Sequence, residues 1–246
     1  MSGPLQPVEG VVLRLIEYGE SDLVVGLLTP TLGKISAFAA GARVSRKRFG
    51  GALDLFNLLK VELRAPKDTH GNLWRIARVE LVEMFLGLRN DLRRLAAASY
   101  LADCLWTFLG DGDPHPQVYD WWKTTLERLS KEEVSVALDL RLELEMLSMC
   151  GFAPHWDQCL DCGSRPEEGK VFFSFLRGGI ICEKCRKTGE GSWIDADSVK
   201  RVHDGQKISM ETAASLRRVL NAFVSHTMGR EPKSQRFREE VFNVKS

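Results

Sequence analysis

No stretch of this sequence has the uninterrupted apolar length of a membrane span, which takes about 20 residues, so no membrane partner is expected. The N-terminus also lacks a basic region followed by an apolar core and a small-residue cleavage site, and a cytoplasmic protein is expected. An excess of one charge is missing too. Lys and Arg number 34 against 33 Asp and Glu, a net charge of +1, so any nucleic-acid surface has to be local. No internal repeat or long low-complexity region is evident.

Catalytic signatures are equally scarce. There is no G-x-x-x-x-G-K-[ST] phosphate loop and no H-E-x-x-H motif, and Gly19, Gly26 and Gly33 do not form a dinucleotide fingerprint. The five histidines (His70, His115, His155, His203 and His226) are scattered, and His155 reads as a surface residue near cysteines rather than a ligand. Glu132 and Glu133 sit near a helix start, where capping and dipole interactions account for them. Asp and Glu are otherwise too dispersed for a two-metal nuclease. An enzyme is not expected, and no catalytic residue is assigned.

What is present begins with short β-rich tracts. Residues 8–15, 23–28, 34–40, 53–64 and 73–81 read as strands, and Thr29-Pro-Thr-Leu-Gly33 reads as a turn. Five strands in the first 80 or so residues, with no helix between the early ones, predict a small closed antiparallel barrel of the oligonucleotide/oligosaccharide-binding (OB) kind. From residue 81 the apolar period changes to three and four, through Leu81, Met84, Phe85, Leu88, Leu92 and Leu95. Gly110-Asp-Gly-Asp-Pro-His-Pro116 breaks it, and residues 118–129 supply another helix in which one of Trp121 and Trp122 anchors the core. Ser130-Lys-Glu-Glu133 has capping-box spacing before a helix at 134–149. Further helices are expected at 193–202 and 212–228. The fold class is therefore α+β: an N-terminal barrel over residues 1–80, then a helical domain over 81–246.

Inserted into that second domain, at 155–190, are Cys159-Leu-Asp-Cys162 and Cys182-Glu-Lys-Cys185, two C-x-x-C pairs with 19 residues between them. This is metal-site spacing, and zinc is the default occupant. Four thiolates leave no open coordination position, so one structural Zn(2+) per chain is expected, held by Cys159, Cys162, Cys182 and Cys185. A rubredoxin-like iron site, a thiol redox pair and disulfides are the rivals. Residues 171–176, a Gly178-Gly179 turn and Ile180-Ile181 form an expected hairpin between the pairs. Cys104 and Cys150 fall in apolar helical runs and read as small buried hydrophobes.

The other chemical signal is Arg43-Val-Ser-Arg46-Lys47-Arg48-Phe49, four cations in seven positions followed by Gly50-Gly51. On a barrel this is a mobile connection whose cations could follow phosphates, with Phe49 stacking on a base or packing the barrel rim. Arg14, Lys34, Lys60 and Arg64 are possible contributors from the strands. A solvated basic loop with no ligand is the plain alternative.

The order of these features resembles the bacterial RecO family of recombination mediators. Val8-Glu-Gly-Val-Val-Leu, Gly19-Glu-Ser-Asp-Leu-Val24 and Leu28-Thr-Pro-Thr-Leu-Gly-Lys34 carry the resemblance. So do Ala40-Gly-Ala-Arg43, Arg46-Lys-Arg-Phe49, Leu53 to Phe56, Glu143-Leu-Glu-Met-Leu, Gly151-Phe-Ala-Pro and Lys233-Ser234. The resemblance implies an OB barrel, a helical domain and a zinc insertion. It implies binding of single- and double-stranded DNA, annealing of complementary strands, and cooperation with RecR so that RecA replaces single-stranded-DNA-binding protein (SSB). A cytoplasmic, nucleoid-associated protein follows from it. DNA contacts would fall to Arg43, Arg46, Lys47, Arg48 and Phe49, with Arg14 and Lys34 weaker. The helical tract would receive the SSB C-terminal tail, with Arg141, Arg217, Arg218 and Lys233 as candidates. Acidic Glu167, Glu168 and Glu183 depart from a DNA platform and favour a structural zinc module. The alternatives are a zinc-containing regulator or scaffold whose barrel binds protein rather than DNA, and an enzyme with an unrecognised acidic or thiol site.

Overall fold

The computed structural model describes residues 5–66, 73–165, 169–187, 189–204 and 206–243. The chain divides into two compact units, Met1–Glu132 and Glu133–Ser246.

In the first unit, strands β1 (Leu5–Tyr18), β2 (Asp22–Thr29), β3 (Gly33–Ala39), β4 (Leu58–Arg64) and β5 (Leu73–Glu83) close into a barrel in the order β1-β2-β3-β5-β4. Every neighbouring pair is antiparallel except β3 with β5. This is the five-stranded OB-like barrel expected from the sequence, except that the parallel β3–β5 pair departs from the all-antiparallel closure expected. β1 is long enough to pair with both β2 and β4 because a bulge between Val12 and Arg14 bends it around the closure. Alternate residues fill the inside: Val8 and Val12, Val25 and Leu27, Ile35, Ala37 and Ala39, Leu59, Val61 and Leu63, and Ile76.

Two boundaries move from their sequence positions. The strand expected at 53–64 begins only at Leu58, because Phe56 adopts a left-handed conformation (φ 69°). That conformation costs a non-glycine residue about 1–2 kcal/mol. Burial of the Phe56 ring against Trp122, centroids 6.4 Å apart, offsets it. Helical spacing from Leu81 is likewise overridden: β5 runs to Glu83, paired with Leu58. A 3-10 turn (Leu86–Asn90) follows, and Asp91 then caps helix α2 (Leu92–Phe108), its carboxylate accepting from the Arg93 amide at 2.8 Å. One helical turn, α1 (Arg46–Phe49), lies between β3 and β4. Helix α3 (Pro116–Lys131) completes the unit, with Trp122 fully buried and Trp121 half-buried. The Tyr119 hydroxyl of α3 donates to the Glu9 carboxylate of β1 at 2.8 Å. Burial and that carboxylate push the phenol well above its ordinary pKa.

The second unit contains α4 (Val136–Met149), strands β6 (Lys170–Ser174), β7 (Gly179–Ile181) and β8 (Gly191–Asp195), and helices α5 (Ser198–His203), α6 (Met210–Met228) and α7 (Gln235–Asn243). Ser135, not Ser130, caps α4, its hydroxyl accepting from the Leu138 amide at 3.1 Å. Ser130 is still inside α3, so the capping-box spacing there is not used. The expected β6–β7 hairpin forms, and β8 joins it where a helix was expected to begin. Antiparallel pairing of β8 with β6 and an edge-to-face contact of Trp193 with Phe172 (5.7 Å) hold that segment extended.

Asp139 and Glu143, one turn apart on α4, are buried with Arg217 of α6 and Arg238 of α7. Arg217 donates to Asp139 at 2.8 Å, and Arg238 donates to Asp139 at 2.9 Å and to Glu143 at 2.6 Å. The polar helix α7 is thus held by a buried ion cluster. Among the described residues, no helix is long and apolar enough to cross a membrane.

Candidate metal centre and candidate nucleic-acid interface

The four cysteines converge. The sulfurs of Cys159, Cys162, Cys182 and Cys185 all lie within 4.8 Å of one another. Tetrahedral thiolate ligands at about 2.3 Å from zinc are separated by about 3.8 Å. The Cys162 and Cys182 sulfurs are 3.7 Å apart. Each C-x-x-C is a tight turn: the Gly163 amide donates to the Cys159 carbonyl at 2.9 Å, with Gly163 at φ 70°, and the Cys185 amide donates to the Cys182 carbonyl at 3.1 Å.

The electrostatics suit a cation. The Ser164 hydroxyl and amide, with the neighbouring thiols, lower the Cys162 pKa to about 6. Burial works against ionising Cys159, but the backbone amides of Cys182, Cys162 and Asp161 outweigh it and lower its pKa. Hydrogen bonding to Cys162 and Cys182 pushes Cys185 up to about 12, because four crowded sulfurs cannot all ionise without a positive charge among them. The donor set therefore fits one metal ion with a closed sulfur shell. Among the described residues His155 is not part of this group. Its backbone instead pairs with the Gly178 carbonyl (2.8 Å) and the Ile180 amide (3.0 Å), tying the first knuckle to the hairpin.

Beside the second knuckle is a cleft of about 620 Å³ whose walls include Arg177, Lys184, Arg186 and Lys187 as well as Asp161 and Glu190. Arg186 lies over both Phe172 (4.4 Å) and Trp193 (5.0 Å). Glu167 and Glu168, which lend the module its acidic character in sequence, lie outside the described residues. The cations were legible as the run Lys184 to Lys187, but their gathering with Arg177 depends on the hairpin.

The basic loop is braced rather than a free connection. The Gly41 amide donates to Asp22 at 2.7 Å and the Arg43 amide to the Ser21 carbonyl at 2.9 Å. The Arg43 guanidinium pairs with Glu17 at 3.1 Å, and Arg48 donates to the Ala40 carbonyl. Arg43, Lys47 and Arg48 are exposed; Arg46 opens α1, and its side chain lies outside the described set. Phe49 is 2% exposed and belongs to the barrel core, so it packs the barrel and offers no stacking face.

Lys34 also differs from expectation. It is 7% exposed; its ammonium donates to the Trp106 carbonyl at 2.7 Å, pairs with Asp111 at 3.0 Å and lies 4.8 Å from the Trp106 ring centroid. It braces α2 and the turn after it against β3. Arg14 is half-buried with its guanidinium 5.8 Å from the same ring. Lys60 and Arg64 are exposed on β4. In the second unit Arg217 is buried in the ion cluster and presents no surface to a partner. Arg141 pairs with Glu145 at 2.9 Å, one turn along α4, while Arg218 and Lys233 are exposed.

Against known families, the N-terminal model of recombination protein O matches residues 3–85 and the C-terminal model matches residues 89–236. The chain belongs to the recombination protein O family. The two family segments meet at the 3-10 turn leaving β5, so the N-terminal segment is the barrel. Three relatives match over nearly their whole lengths. A DNA repair protein RecO of Anaeromyxobacter sp. (strain K) is 36% identical over 243 residues, covering 94% of this chain and 95% of the relative. Those of Myxococcus xanthus (34% over 239 residues, 95% and 96%) and Symbiobacterium thermophilum (33% over 247 residues, 95% and 96%) are similar to the same extent.

Proposed function

We propose that this chain is a non-enzymatic mediator of DNA repair and homologous recombination. It binds single- and double-stranded DNA, anneals complementary strands and, with RecR, promotes loading of RecA on SSB-coated single strands. The observation that carries this reading is a cationic loop fixed on an OB-like barrel, in a chain of the recombination protein O family. Relatives named as DNA repair proteins, matched over nearly their full lengths, support it.

The mechanism needs no bond cleavage. Arg43, Arg46, Lys47 and Arg48 reduce repulsion between phosphate backbones while leaving base edges open for pairing. Lys34 and Arg14 contribute through the fold, by seating Trp106 and the turn at Asp111. Zinc, held by Cys159, Cys162, Cys182 and Cys185, supplies a closed structural cross-link in place of a larger core. Exposed Arg218 and Lys233, and Arg141 on α4, remain the cations offered to the acidic SSB tail. The protein acts in the cytoplasm, on the nucleoid.

Fluorescence anisotropy with a labelled oligonucleotide over a salt series tests the assignment. Neutralising the four loop cations weakens binding and flattens the dependence of log affinity on log salt. Unchanged affinity and slope would reject these residues. Failure of the folded, metal-loaded protein to bind any oligonucleotide would instead favour a zinc-containing scaffold that binds protein.

A further inference from the structure

Among the described residues, the outer face of β1, β2 and β3 is covered on one half only. Outward positions follow from the register: Arg14, Ile16 and Tyr18 on β1, Val24 and Gly26 on β2, Lys34, Ser36 and Phe38 on β3. Trp106 of α2 covers the half around Gly26, where a β-carbon would fall 2.3 Å from the indole, and Arg14 and Lys34 flank it. Among the described residues the other half has no such lid. There Tyr18 is 62% exposed and Ile16 41%, with Val24 and Phe38 half-buried beside them. The Tyr18 and Phe38 rings meet edge to face, centroids 5.8 Å apart at 85°. Arg75, exposed and opposite Phe38 in the β3–β5 register, holds its guanidinium 5.9 Å from the Phe38 centroid.

We infer that this open half is a stacking platform for unpaired nucleobases, giving the barrel a base-dependent preference for single strands; the inference rests on the DNA-binding reading above. Three features favour a strand over a protein partner. Strands 2 and 3 and the β1–β2 loop are where OB barrels take oligonucleotides, and Tyr18 ends β1 at that loop. A cation borders the platform: Arg75, held beside Phe38. Nearby acids are partly engaged: Glu17 by Arg43, and Asp22 by the Ser21 hydroxyl and the Gly41 amide, while Glu20 is exposed in the turn. Two rings already fixed against each other lose little freedom when a base stacks on them. A duplex keeps its bases stacked inside and gains nothing from the platform, so it relies on the cationic loop alone.

The test compares a labelled oligothymidylate with a strand of equal length and abasic sugars, which keeps the phosphates and removes the rings. Wild-type full-length protein should prefer the base-bearing strand by roughly 5- to 100-fold. Tyr18→Ala should lose most of that preference while leaving abasic-strand affinity, duplex affinity and the salt slope unchanged, and Tyr18→Phe should retain it. A strand carrying 5-iodouracil should photo-crosslink to Tyr18 or Phe38. Equal wild-type affinity for both strands, or a preference untouched by Tyr18→Ala as a protein-docking face would give, overturns the platform and leaves the DNA-binding reading standing. No affinity for either strand removes both.

Discussion

Trp106 lies across Gly26 so closely that a β-carbon on that glycine would fall 2.3 Å from the ring. The glycine is a notch cut for the tryptophan, and it seats α2 on the barrel wall. Gly26→Ala is expected to destabilise the protein by about 1–3 kcal/mol through overpacking. Thermal unfolding read by circular dichroism checks this; an unchanged midpoint would mean that Trp106 is not fixed there.

Lys34 separates structural from DNA-binding cations. With its ammonium on the Trp106 carbonyl and Asp111, Lys34→Ala leaves a carbonyl without its donor, at a cost of about 1–3 kcal/mol. Denaturant titration should show that loss, and anisotropy at a temperature where the variant is folded should show an unchanged salt slope. A flatter slope with wild-type stability would return Lys34 to the DNA surface.

The ion cluster on α4 makes a sharper prediction. Asp139→Asn leaves the cluster of Arg217, Arg238 and Glu143 with one buried positive charge in excess, and breaking such a cluster costs about 3–5 kcal/mol. A large drop in urea midpoint is expected for the second unit. A drop equivalent to less than about 1 kcal/mol, the range of exposed pairs, would show that the cluster is open to water.

Metal removal should act locally. Purified protein should hold one zinc ion per chain by elemental analysis, and chelation should disorder residues 155–195 while the barrel keeps its β-sheet signal. After chelation the four ligand thiols should react with an alkylating reagent. Cys104 is fully buried, and burial pushes the Cys150 thiol up to about 12, so both should stay protected. Metal-free protein with four freely reactive thiols from the outset would contradict a structural ion.

The parts of this protein that were legible in its sequence are those whose signal is local. Cys159 to Cys185 declare themselves by spacing, and the barrel strands by alternation between turns. Lys34 and Arg217 read as surface groups in the sequence, and Phe49 reads equally as a stacking ring or a packed one, because burial depends on partners far along the chain: Trp106, Asp139 and the barrel core. The exposure of Tyr18, with Phe38 half-buried beside it, is illegible for the same reason, since it follows from where α2 stops covering the sheet. Ser130 and Trp193 show the limit of local rules, where a helix running on and a strand pairing took priority.

The most direct measurement is annealing of complementary oligonucleotides, first bare and then coated with SSB, by folded, zinc-loaded protein in a fluorescence-quenching assay. Acceleration of both reactions is expected, with loss of the effect when Arg43, Arg46, Lys47 and Arg48 are neutralised. Failure to bind or anneal either substrate would contradict a role as a recombination mediator.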